Sequence, residues 1–172
     1  MDISQVLGAG RSSSSGASAE WGDVEEWVGD PLPADYKELA EKYGEGVIAG
    51  HLYIPHPHGS RPILEFMKEL REGFHVLCEG LDEIPSRVAA VRDRVVPWAY
   101  HDWDGDICLL LPPDADEADS GWRVAIAFWQ CPQVVVFEGG VSDFLATMLV
   151  DGRWPRGWPT DRPVWTSADE DE

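Results

Sequence analysis

Val95-Val96-Pro97-Trp98-Ala99-Tyr100-His101-Asp102-Trp103-Asp104-Gly105-Asp106-Ile107-Cys108-Leu109-Leu110-Leu111 decides how the rest of the chain is read. Two runs rich in β-branched, aromatic and aliphatic residues flank a link made of Asp and Gly. That arrangement predicts two antiparallel strands, residues 95–100 and 107–111, joined as a hairpin. Downstream, residues 122–129 and 134–138 give two more strands around Cys131-Pro132. Upstream, Glu45-Gly46 leads into a single predicted strand over residues 47–54, stopped by Pro55. Helical spacing accounts for the remainder. Trp21, Val24 and Val28 recur at helical intervals and Gly29 ends the run. Pro33 opens a second helix with the stripe Tyr36, Leu39, Ala40 and Tyr43, closed by Gly44 in a left-handed conformation. Gly44 and Gly46 are therefore structural candidates. Ile63, Phe66, Met67 and Leu70 mark a third helix after Pro62, with Gly73 as its predicted end; residues 74–79 suit either helix or strand. Val141, Phe144, Leu145, Met148 and Leu149 form the clearest stripe, with Gly152 as its stop. The expectation is an α+β single domain: an antiparallel-rich sheet of about five or six strands, helices packed at one side, and a closing C-terminal helix. It occupies residues 20–152. Residues 1–19, with their Ser-rich run, read as a flexible lead. Residues 153–172 read as an acidic, Pro- and Trp-containing tail, which Trp154, Trp158 and Trp165 would hold against the body.

The 172 residues include 13 Lys and Arg against 32 Asp and Glu, a formal net charge of −19. Such a surface repels phosphate backbones and anionic lipids, which argues against nucleic acid or a membrane as partner. No run approaches the length of a membrane span, and residues 1–20 lack the basic and apolar regions of a secretory signal. Cys78, Cys108 and Cys131 are widely spaced and form no C-x-x-C pair, so buried thiols in a reducing, cytoplasmic setting are expected. The acid belongs to the body: residues 20–152 hold 26 Asp and Glu against nine Lys and Arg. One cluster covers residues 23–45. The other comprises Asp102, Asp104, Asp106, Asp114, Asp116, Glu117 and Asp119, in a stretch with no basic residue.

Three sharper chemistries are open to these residues. The aspartates 102–106 offer oxygens to a hard cation, but a calcium loop starting at Asp102 would need Gly sixth and Glu twelfth, where Ile107 and Pro113 stand. His51, His56, His58 and His101 follow no closed zinc spacing. A Cys131–His101–aspartate triad has nothing in the sequence to assemble it, and Cys131 is expected buried. Neither a metal nor another cofactor is therefore expected. Trp21, Trp98, Trp122 and Trp129 are predicted to pack in the core. Trp103, among carboxylates at the hairpin tip, suits an interface anchor.

Several of these motifs also have a familiar order. Trp21…Val28-Gly29…Leu32-Pro33-Ala34-Asp35-Tyr36-Lys37…Tyr43-Gly44-Glu45-Gly46 resembles the opening of the SUKH superfamily, which includes yeast cell-wall-synthesis regulators and bacterial immunity proteins. The hairpin from Val95-Val96-Pro97-Trp98-Ala99 through Asp102 to Gly105-Asp106 is similar to that family's centre. The closing helix with Phe144-Leu145 is similar to its end. The resemblance implies binding without catalysis, most directly an immunity protein that neutralises a basic, nuclease-like toxin. A regulatory interaction module is the alternative, and a metal-dependent enzyme using the 102–106 carboxylates a more distant one. The candidate partner-binding residues are Asp102, Trp103, Asp104, Asp106, Asp114, Asp116, Glu117 and Asp119.

Overall fold

The computed structural model describes residues 7, 21–113, 121–158 and 165–167. Helices α1 (Gly22–Val28) and α2 (Ala34–Tyr43) open the body. They are followed by β1 (Gly46–Ile48), β2 (Leu52–Ile54), α3 (Ile63–Glu79), α4 (Ser86–Ala90) and a 3-10 turn (Arg92–Arg94). Next come β3 (Val96–His101), β4 (Ile107–Leu111), β5 (Arg123–Phe128), β6 (Gln133–Phe137), α5 (Val141–Leu149) and β7 (Trp165–Ser167). The strands form one seven-stranded sheet in the order β6-β5-β4-β3-β2-β1-β7, antiparallel throughout. Six strands fall within the expected body. The seventh comes from the C-terminal tail and pairs with β1, while Trp165 packs on Tyr43 with ring centroids 5.4 Å apart.

The α+β class and the closing helix agree with the expectation, but helices cover both faces of the sheet. On the first face, Ile48, Leu52, Trp98, Cys108, Leu110 and Ile126 pack against α1, α2 and α5. On the second, Ile107, Leu109, Leu111, Ala125 and Val134 pack against Phe74, Leu77 and Cys78 of α3 and Val88 of α4. Alternate residues of β4 thus enter opposite cores, and all five are buried. Each such aliphatic side chain contributes about 1.5–3 kcal/mol of burial. A register shift between Pro97 and Ala99 marks a bulge that leaves both Trp98 and Ala99 on the first face. There Trp98 meets Tyr36 and Phe144 at 6.3 and 6.0 Å.

Three local expectations change. Residues 47–54 are two strands, because Ala49, Gly50 and His51 form a three-residue loop between the paired Ile48 and Leu52, with Ala49 and Gly50 both at positive φ and the His51 amide donating to the Ile48 carbonyl. Gly73 does not stop α3: the helix continues to Glu79, since Phe74, Leu77 and Cys78 extend its apolar stripe into the second core. Gly44 does end α2 at positive φ, but with ψ −156° it is extended in ψ and not left-handed helical. Gly46, buried, begins β1 opposite Ile54 and Ser167.

Much of the 23–45 acidic cluster is structural. Glu25 accepts the Leu32 amide and pairs with Lys37; Asp30 pairs with Arg94. Glu45 accepts the Tyr53 hydroxyl and the Ser60 amide. Asp35 accepts the Ser142 amide at 3.0 Å, so a carboxylate from α2 caps the N-terminus of α5.

Candidate functional site

The β3–β4 hairpin turn, the β1–β2 turn and the segment 153–158 converge at one end of the sheet. The hairpin closes through the His101 amide on the Asp106 carbonyl and the Gly105 amide on the His101 carbonyl. The Asp102 amide donates to the His51 carbonyl at 2.9 Å, tying the two turns together. Beneath the tip lies a buried aromatic layer. His101 stacks on His51 at 4.3 Å and on Trp158 at 4.9 Å. Trp103, Trp154 and Trp158 surround the His51 ring at 5.9, 6.4 and 5.5 Å.

Both histidines are fully enclosed. Burial lowers the pKa of His101, and the neighbouring His51 adds to this; Asp104 and Asp106 pull the other way. His101 Nδ1 accepts the Asp104 amide at 3.0 Å, so the neutral ring carries its proton on Nε2. That Nε2 has no hydrogen-bond partner among the described residues.

The candidate residues separate by role. Asp106 is 2% exposed and is not part of a binding surface, which corrects the expectation. Its Oδ1 accepts the Trp129 amide and its Oδ2 the Trp158 indole N–H, both at 2.9 Å. It therefore pins the β5–β6 turn and the tail to the hairpin. Asp102 and Trp103 are exposed and Asp104 is partly exposed. Asp114, Asp116, Glu117 and Asp119 lie outside the described residues.

Two further expectations are corrected here. Trp129 is 45% exposed where a core position was expected, and Trp103 is 54% exposed. Trp129 lies over Gly105, its Cβ 3.6 Å from where a side chain there would begin. Both indoles line a hollow of about 370 Å³ with Leu70, Tyr100, Asp102 and Asp104. Cys131 is exposed in the β5–β6 turn, while Cys78 and Cys108 are buried as expected. The sequence signal for Trp129 and Cys131 is the turn former Pro132, three residues after the first and next to the second.

His101, Asp104 and Asp106 bring one potential ligand atom each within 4.8 Å of one another. Yet Nδ1 of His101 and both Asp106 oxygens already accept hydrogen bonds from the protein. A cation would have to share or displace those bonds, so the triplet reads as a structural knot. Among the described residues, no helix is long and apolar enough to cross a membrane. Comparison with family models, curated proteins and solved structures finds no match for this chain.

Proposed function

We propose that this is a non-enzymatic, cytoplasmic binding protein that neutralises a basic protein toxin, engaging it with the exposed face of the β3–β4 hairpin. The observation that carries the reading is the pairing of two exposed tryptophans, Trp103 and Trp129, with the carboxylates of Asp102 and Asp104 on one surface. Large aromatics supply contact energy at the centre of an interface, and the carboxylates around them supply orientation and speed. A nuclease-like toxin must be positive to hold phosphates, and a body this acidic attracts it from a distance. The resemblance to SUKH immunity proteins supports the same reading from the sequence side.

The test starts from affinity capture in the native cell, followed by binding kinetics with the purified captured partner. The double variant Asp102→Asn/Asp104→Asn is expected to slow association several-fold and to flatten its salt dependence, because exposed charges steer over about 8 Å at physiological salt. Trp103→Ala and Trp129→Ala are expected mainly to speed dissociation. Asp106 is left untouched, since its loss would loosen the fold. Unchanged rates in all three variants, or a captured partner that is itself acidic, would sink the proposal. So would a partner that is not toxic when expressed without this protein.

A further inference from the structure

We infer that the first face of the sheet carries a second site, bordering the hairpin surface at Asp104, for an apolar small molecule bearing a carboxylate. Helix α5 packs on that face, its Phe144 against Phe137 of β6 at 5.6 Å, and leaves Val135 of the same edge strand exposed. A solvated edge strand normally turns polar side chains outward. Here the floor is Ile126, Phe128, Val135 and Phe137, with Phe144 of α5 and Trp154 also on the lining. Val135 stands 41% exposed on it. The resulting groove measures about 450 Å³, within the range of roughly 300–1,000 Å³ in which small-molecule sites fall.

The charge around the groove indicates the occupant. The chain has only 13 basic side chains against 32 acidic ones, and two of them, Arg153 and Arg156, stand on the wall of this groove. Lys37, Lys42, Arg94 and Arg123 each pair with a carboxylate. Neither Arg153 nor Arg156 has a carboxylate partner among the described residues. Both are exposed. Two guanidiniums beside an apolar floor complement a molecule with a hydrocarbon body and one anionic end, since guanidinium binds carboxylate through paired N–H donors. Asp104, also on the lining, disfavours a second anionic end at its position. The site therefore selects a monocarboxylate over a dicarboxylate.

Decanoate, decan-1-ol and decanedioate titrated into the full chain by calorimetry test this directly. Saturable binding of decanoate is expected, with the alcohol and the diacid each weaker by about two- to five-fold, the scale of exposed ion pairs. Arg153→Gln/Arg156→Gln should erase the preference for the acid over the alcohol while leaving the alcohol's affinity unchanged. Val135→Asp, at an exposed position and with folding checked by circular dichroism, should abolish binding of both. Equal affinity for acid and alcohol in the unaltered protein would overturn the inference, leaving a merely apolar patch. Absence of saturable binding would overturn it too. So would self-association that Val135→Asp abolishes while decanoate has no effect on it, because the face would then belong to a second copy of the chain.

Discussion

At the scale of single residues, backbone conformation and buried titratable rings make the sharpest demands. Gly44 combines φ 71° with ψ −156°, a region essentially closed to side-chain-bearing residues. Apart from its chain neighbours, no described atom lies within 4 Å of the position a Cβ would take, so a substitution there is opposed by the backbone alone. Gly44→Ala is expected to cost about 1–2 kcal/mol in urea unfolding, the strain being partly offset by a less disordered unfolded chain. A neutral or stabilised variant would contradict the conformation assigned. The histidines set a pH dependence. His101 titrates below its ordinary value because of burial and then His51; His56 does so because of burial and then His58, with Glu45 and Glu41 opposing. Their native pKa values therefore lie below the unfolded value of about 6.5. Below that pH the unfolded chain binds protons that the native rings refuse, so stability falls as pH drops from 7 towards 5.5. The limiting slope is about 1.4 kcal/mol per pH unit for each proton. Unfolding midpoints measured in about 1 M salt, where the Debye length is about 3 Å and general repulsion is damped, isolate the effect. Flat or rising stability across that window would contradict it.

Among the elements, those with an unbroken stripe were legible in the sequence and those interrupted by glycine were not. The closing helix α5 follows from Val141, Phe144, Leu145 and Met148, all of which are buried. In α3, by contrast, Gly73 was read as a stop. A glycine inside a helix costs only about 1 kcal/mol, less than the burial of Phe74 and Leu77 beyond it returns. Local propensity cannot weigh that, because the second core it depends on is built from β4, β5 and β6. The same helix yields a prediction. A Cβ on Gly73 would meet nothing closer than Ile107 Cδ1 at 3.9 Å, an ordinary contact. Gly73→Ala should raise stability by about 0.5–1 kcal/mol without altering the fold. Chemical denaturation would detect the gain, and a loss would show that α3 approaches the hairpin more tightly than the structure places it. The β1–β2 turn was missed for a related reason: Ala49-Gly50 carries little turn signal, yet it reverses the chain and sets His51 beneath the hairpin tip.

For the molecule as a whole, the two-sided core was written in β4, whose five consecutive apolar residues lack the alternation of a strand with one wet face. The hairpin and the exposure of Trp103 at its acidic tip were legible; the burial of Asp106 was not, because its partners Trp129 and Trp158 lie 23 and 52 residues away. The same contrast holds for charge. The composition gives the total, but only the structure separates carboxylates that cap, pair or accept hydrogen bonds, such as Asp35, Glu25 and Glu45, from those left to repel one another. Repulsion should dominate the salt response. The exposed pairs Lys42–Glu38 and Arg123–Glu138 weaken when screened, but such pairs contribute at most about 1 kcal/mol each. A net charge of −19 opposes the compact state throughout, and salt relieves that opposition. Raising sodium chloride from low to moderate concentration is therefore expected to stabilise the protein by on the order of 1 kcal/mol, a rise in Tm of about 2–4 °C for a chain of this size. Calorimetry across a salt series measures it. A Tm that falls with salt would mean that attractive pairs, and not self-repulsion, govern the folded surface, and the steering expected of the hairpin's carboxylates would weaken with it.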